Sequence, residues 1–144
     1  MDHCTSECIG VHAAAVDDRF EALEPLRQGI REHFGGYEQN VALGLSLRHD
    51  HGSQYTSRDF QAELRFLEIR SSPSFVREPE CNGVAERFVR TLKEQLLWVQ
   101  TFETIEELRL ALLAFKDRYN AGWLVQKHGH GPLRPLEYQL RIVQ

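Results

Sequence analysis

Apolar residues recur at three- and four-residue steps in four stretches of the chain, each bounded by helix-starting or helix-stopping residues. Phe20, Leu23, Ile30 and Phe34 form a stripe interrupted by Arg27 and predict a helix over 17–34. Asp17 or Asp18 opens it and Gly35-Gly36 closes it. Pro25 requires the regular helix to begin no more than a turn before it, or to bend there. Thr56 or Ser57 caps a second helix through Phe60, Leu64 and Leu67. Ala85, Phe88, Val89, Leu92, Leu96 and Val99 make the stripe of a third, with Asn82 as its N-cap. Thr104-x-x-Glu107 is a capping box for a fourth, which buries Ile105, Leu108, Leu112, Phe115 and Tyr119 and ends at Asn120-Ala121-Gly122.

Strand signals are shorter. Thr5-Ser6-Glu7 followed by the apolar run Cys8–Val16 predicts a strand, a turn and a second strand over Met1–Val16. Leu43-Gly44-Leu45-Ser46-Leu47 predicts a buried strand that delivers Arg48-His49-Asp50-His51-Gly52. Leu67-Glu68-Ile69-Arg70 is a candidate edge strand. Tyr37–Ala42 is a polar connection. Ser71–Gly83, with Pro73 and Pro79, is expected to be a mobile loop. Trp123–Gln144 is expected to be loop-rich, with a short helix from about Pro135.

At 144 residues, with 42% hydrophobic and 26% charged side chains, the chain fits one ordinary soluble domain. No apolar run approaches a membrane span and the N-terminus lacks the pattern of a signal peptide, so a bacterial cytosolic location is expected. Cys4, Cys8 and Cys81 form no disulfide pattern, which suits a reducing compartment. His3, Cys4, Cys8 and His12 have tolerable zinc-ligand spacings, but a strand-turn-strand would send them to differing faces, and buried thiols are the better account. The net charge of −4 and pI near 6.0 are not the footprint of an autonomous DNA binder. The acidity is uneven. Residues 1–50 carry nine acidic and four basic side chains, whereas 51–144 carry twelve and thirteen.

The chemistry is concentrated between Asp50 and Glu86. A carboxylate leaving a strand and a carboxylate in a helix's first turn can meet at one point, and paired acids hold magnesium or manganese for phosphoryl transfer. Gly52 allows a sharp turn where a side chain would crowd a metal or phosphate. Glu86, Arg90 and Lys93 share a helix face, since steps of four and seven nearly complete whole turns. A hard cation prefers oxygen, so His49 and His51 are expected to flank the acid or touch DNA.

Thirty-five residues separate Asp50 from Glu86. That spacing, the segment His49-Asp50-His51-Gly52-Ser53-Gln54-Tyr55-Thr56-Ser57 and the helix Asn82-Gly83-Val84-Ala85-Glu86-Arg87-Phe88-Val89-Arg90-Thr91-Leu92-Lys93 together resemble the catalytic core of insertion-sequence transposases and retroviral integrases, the Asp-Asp-Glu family. The resemblance runs from the first residues to about Tyr138. It implies an α/β fold, a ribonuclease-H-like mixed sheet flanked by helices and lacking its first strand, with the core over 1–120 and an extension over 121–144.

The resemblance further implies that Asp50 and Glu86 are catalytic metal ligands for Mg2+ or Mn2+. Lys93, Arg90, His51 and Asn82 become DNA contacts, and DNA and a further copy or a full-length transposase become partners, with no membrane. The family's first acid lies on a strand upstream of where this chain begins, and Asp2 matches a structural position instead. Residues 1–144 are therefore expected to be inactive alone. Two other functions stay open at this point: a non-catalytic modulator that binds DNA ends or transposase, and a metal-dependent nuclease of the same fold.

Overall fold

Glu24 begins the first regular helix, α1 (Glu24–Phe34), one residue before Pro25, so the proline sits in the first turn, where its missing N–H costs nothing. Asp18 caps the preceding 3-10 turn (Glu21–Leu23): its Oδ1 accepts from the N–H groups of Phe20 and Glu21 at 2.8 and 2.9 Å. Gly35 ends the helix in the left-handed region, at φ 71°, and its N–H donates to Arg31 O. The computed structural model describes residues 1–3, 5–16, 18–73 and 83–122. Within them α1 belongs to one of two compact units, residues 14–83; the other joins residues 1–13 to the chain from Val84 onward.

In the first unit the order is α1, β1 (Ser46–His49), α2 (Ser53–Thr56), α3 (Arg58–Leu67) and β2 (Arg70–Pro73). The two strands pair in parallel, Ser46 opposite Arg70 through His49 opposite Pro73, so α2 and α3 form the crossover that a parallel pair requires. Ser57 is the cap of α3: its Oγ accepts from Phe60 N–H at 3.2 Å. Phe60, Leu64 and Leu67 bury one stripe of α3 against Leu23, Leu26 and Ile30, with Ala42 and Ile69 completing the core.

Three strand expectations are corrected. The edge strand lies at Arg70–Pro73 rather than 67–70, because Leu67 still belongs to α3 and Glu68 turns the chain in the left-handed region at φ 59°. The strand before Asp50 is not buried throughout. Leu43 is 71% exposed and Leu45 lies outside the strand; only Leu47 and His49 face inward. Met1–Val16 contains no strand among its described residues. Asp2 instead closes a turn, accepting from Thr5 N–H and Oγ1 through Oδ1, while Asp2 N–H donates to Glu7 O.

The mixed sheet is thus represented, among the described residues, by the parallel pair alone. The expected loop over Ser71–Gly83 is corrected at its start, where Ser71–Pro73 belong to β2. Its residues 74–82, Asp17 as a helix start, Cys4, Cys81, Asn82 as a cap and the stretch 123–144 with its expected helix near Pro135 lie outside the described residues.

The second unit is built on α4 (Gly83–Leu92) and α5 (Ile105–Gly122). Phe88, Phe115 and Tyr119 pack as an aromatic trio, Phe88 meeting Tyr119 edge-on at 5.0 Å, with Leu92, Leu96, Leu112 and Cys8 around them. Burial pushes the Tyr119 hydroxyl's pKa up. The capping box forms, Glu107 N–H donating to Thr104 Oγ1 at 3.1 Å, but Glu107 reaches back to Glu103 N–H rather than Thr104. The predicted stripe on α4 fails at Val89, which is exposed within the regular helix, and at Val99, where the α-helical repeat has stopped at Leu92 and a π turn has followed over Lys93–Leu97.

Cys8 explains why no hairpin is needed near the N-terminus. Its N–H donates to Asn120 Oδ1 at 2.8 Å and its carbonyl accepts from Asn120 Nδ2 at 2.9 Å. A buried carboxamide at the end of α5 satisfies both backbone groups, as a neighbouring strand would. Asn120→Ala strands both groups in a buried place and is expected to cost about 1–3 kcal/mol, measured by urea titration of the 144-residue chain. An unchanged midpoint would show that water replaces the carboxamide at no cost.

A second polar cluster sits on the first unit. Tyr37 O–H donates to Glu63 Oε1, which also accepts from Arg27 Nε at 3.2 Å. Burial first, then the hydrogen bond to Glu63, pushes the Tyr37 hydroxyl from 10.0 up to about 12. The folded state therefore keeps the proton that the unfolded chain releases above pH 10. That part of the stability is complete below pH 10 and is lost between pH 10 and about 12. Tyr37→Phe should flatten this alkaline slope relative to the unsubstituted chain, and parallel slopes would disprove the assignment.

Candidate functional site

Asp50 directly follows β1 and projects from the carboxyl end of a parallel strand, where open α/β sheets place their ligands. Its carboxylate is exposed and is aimed by the turn that follows: Gly52 N–H donates to Asp50 Oδ1 at 2.7 Å. Gly52 does not need a left-handed backbone, its φ being −55°, but a side chain here would displace the ends of Asp50 and Gln54. A Cβ at this position would meet Asp50 Oδ1 and Gln54 Oε1, each at 2.9 Å. The turn runs on into α2, with Tyr55 N–H donating to Gly52 O at 3.0 Å. His51 is exposed at the head of this turn.

His49 flanks the acid as expected, but from the buried side. It points inward and is only 7% exposed, stacked on Tyr55 at 5.6 Å and edge-on to Phe60 at 6.3 Å. Nδ1 lies 2.6 Å from the Asp50 carbonyl oxygen and Nε2 lies 2.8 Å from Ser71 Oγ on β2. Strand alternation carried the signal: Leu47 and His49 occupy the same face, two residues apart, and Leu47 is plainly the inward member.

Glu86 is exposed in the first turn of α4. Lys93, seven residues on and also exposed, is about 20° short of two full turns, so the α-helical repeat keeps both on one face. The π turn begins at Lys93 and so does not disturb that relation. Arg90 is engaged locally instead, its Nε 2.9 Å from Glu94 Oε1. That hydrogen bond raises its pKa above the ordinary arginine value. Exposed pairs of this kind hold their side chains loosely. Asn82 lies outside the described residues. Asp50 and Glu86 belong to different units, and among the described residues no group of three histidine, cysteine or acidic side chains is arranged for a metal.

Residues 67–123 match the family model described as the integrase core domain. The structure matches the crystal structure of the catalytic core domain of BIV integrase with a TM-score of 0.61 at 21% identity, over 97% of this chain and 82% of that one. Over residues 67–123 the chain is similar to integrase core domains. Its fold is the ribonuclease-H-like α/β fold of integrase catalytic cores.

Among curated proteins, the transposase for insertion sequence element IS904 of Lactococcus lactis subsp. lactis (strain IL1403) is 37% identical over 53% of this chain and 30% of its own length. A protein of Escherichia coli (strain K12) named as transposase InsK of insertion sequence element IS150 is 34% identical over 65% of this chain and 32% of its own. The chain spans about a third of the length of these relatives. No helix among the described residues is long and apolar enough to cross a membrane.

Proposed function

We propose that this chain serves DNA transposition, with Asp50 and Glu86 as ligands of divalent cations and Lys93 as a contact to the DNA end. The arrangement at Asp50 carries the reading: an exposed carboxylate at the carboxyl end of a parallel strand, aimed by Gly52 N–H. Its donors are carboxylate oxygens, which suit Mg2+ or Mn2+ rather than a softer metal. Among the described residues neither Asp50 nor Glu86 is spent on an ion pair. Bound cations would supply Lewis-acid stabilisation of an in-line displacement at DNA phosphorus.

The chain's own part is to hold and aim. Gly52 N–H fixes one Asp50 oxygen, and the first turn of α4 presents Glu86. Lys93, two turns along, offers a compact charge to a phosphate. His51 and Asn82 are further proposed DNA contacts, and Arg90 joins them only by leaving Glu94. DNA ends, a target duplex and other copies of the transposase are the proposed partners, in the cytosol.

The test is divalent dependence on labelled oligonucleotide duplexes: Mg2+ or Mn2+ should be required for strand cleavage or joining by the assembled protein. Cleavage or joining that persists in a chelator would sink the reading. Lys93→Ala should weaken binding of a duplex end and lower the slope of log affinity against log salt by about 0.9, the share of one phosphate contact. Since Lys93 is exposed, thermal stability should not move. An unchanged salt slope would reduce Lys93 to a solvated charge.

A further inference from the structure

We propose that His49 is a positioning residue for Asp50, itself oriented by Ser71 and Gln61. The inference rests on the reading of Asp50 as a metal ligand and adds the device that holds it. A carbonyl oxygen only accepts, so the 2.6 Å contact to Asp50 O places the ring proton on Nδ1. Nε2 then accepts from the Ser71 hydroxyl at 2.8 Å. Ser71 Oγ in turn accepts from Gln61 Nε2 at 3.2 Å, and the same amide donates to Tyr55 O at 2.8 Å. Each donor in this chain meets an acceptor, from α3 through β2 to the end of β1.

The consequence falls on Asp50. Its backbone carbonyl is clamped from the buried side by His49, and its carboxylate is clamped from the exposed side by Gly52 N–H. Tyr55 and Phe60 pack on the imidazole and keep its plane fixed. An acid held at both ends is set in place before a cation arrives, the service that hydrogen-bonded outer-shell groups give to ligands.

The experiment uses the 144-residue chain and Mn2+ alone as probe, with free Mn2+ followed by electron paramagnetic resonance, alongside nitrogen-15 spectra of the imidazole. The expected spectrum is the Nδ1–H tautomer, and the Nε2–H tautomer would overturn the proposal without any variant. His49→Phe keeps the ring packing and loses both hydrogen bonds; His49→Asn keeps a donor near the Nδ1 position and loses the packing. Mn2+ affinity should fall about tenfold in His49→Phe, with partial rescue in His49→Asn, whereas thermal stability should rank Phe at or above Asn.

A purely structural role predicts that affinity follows stability, and that result would overturn the inference. Ser71→Ala should lower affinity several-fold with the fold intact, which keeps the test open if either histidine variant fails to fold. Asp50→Asn separates the two claims. If it leaves Mn2+ affinity unchanged, the metal reading falls and this inference with it. If it lowers affinity while folded His49 and Ser71 variants bind normally, only the positioning role is lost.

Discussion

Asp50→Asn should reduce divalent-dependent strand transfer roughly a thousandfold in any assembled form that shows it, the scale of losing several kcal/mol of metal stabilisation. Glu86→Gln should do the same. In the 144-residue chain the matching effect is a Mn2+ affinity at least about tenfold weaker for each variant. Misfolding cannot mimic this result at position 50. Asparagine retains an Oδ1 that accepts from Gly52 N–H, so the turn survives, and the side chain is exposed. The melting temperature should therefore stay put while metal affinity drops. Strand transfer at normal rates by Asp50→Asn would remove Asp50 from the catalytic set.

The largest stability effect should come from Phe60→Ala, at about 3–5 kcal/mol. Phe60 is 1% exposed, packs in the core with Leu64, Leu67 and Ile30, and touches Tyr55 and His49 edge-on. Truncation leaves a cavity among the core residues of α3 and α1 and the His49 ring at the end of β1. Chemical unfolding followed by Tyr fluorescence and circular dichroism would give the cost. A loss below about 1 kcal/mol would mean that the site collapses around the smaller side chain. Against a total stability of roughly 5–15 kcal/mol for a domain, the expected loss is large.

Helices were legible in the sequence where periodicity and caps agreed. Ser57 and Thr104 each cap the helix assigned to them, Gly35 stops α1, and Pro25 marks the first turn of its helix. Strand positions were less legible, because four-residue strands leave too few alternations to fix a boundary. Glu68 illustrates the difficulty: nothing in its type announces a left-handed residue, yet that one turn moves β2 by three positions.

The N-terminal stretch differs from its sequence signal because its apolar residues suggest a ladder, whereas Cys8 finds its partner in a side chain far along the chain. The π turn at Lys93 breaks a repeat that the apolar spacing continues to Val99. Asp50, Glu86 and Lys93 are singled out in the sequence by residue type, spacing and the resemblance to transposase cores, and their roles remain proposals. The buried role of His49 was not legible there, because a histidine beside an acid suggests chemistry before it suggests packing.

The Cys8–Asn120 pairing also sets an order of events during synthesis. The two residues are 112 positions apart, so at roughly 5–20 residues per second the N-terminal segment waits some 6–22 s for its carboxamide to be made. Residues 14–83, by contrast, are contiguous and leave the ribosome as a finished set. The middle of the chain can thus fold on the nascent polypeptide while its beginning cannot. Any ribosome that stops before residue 120 releases a product whose first residues have no place to dock.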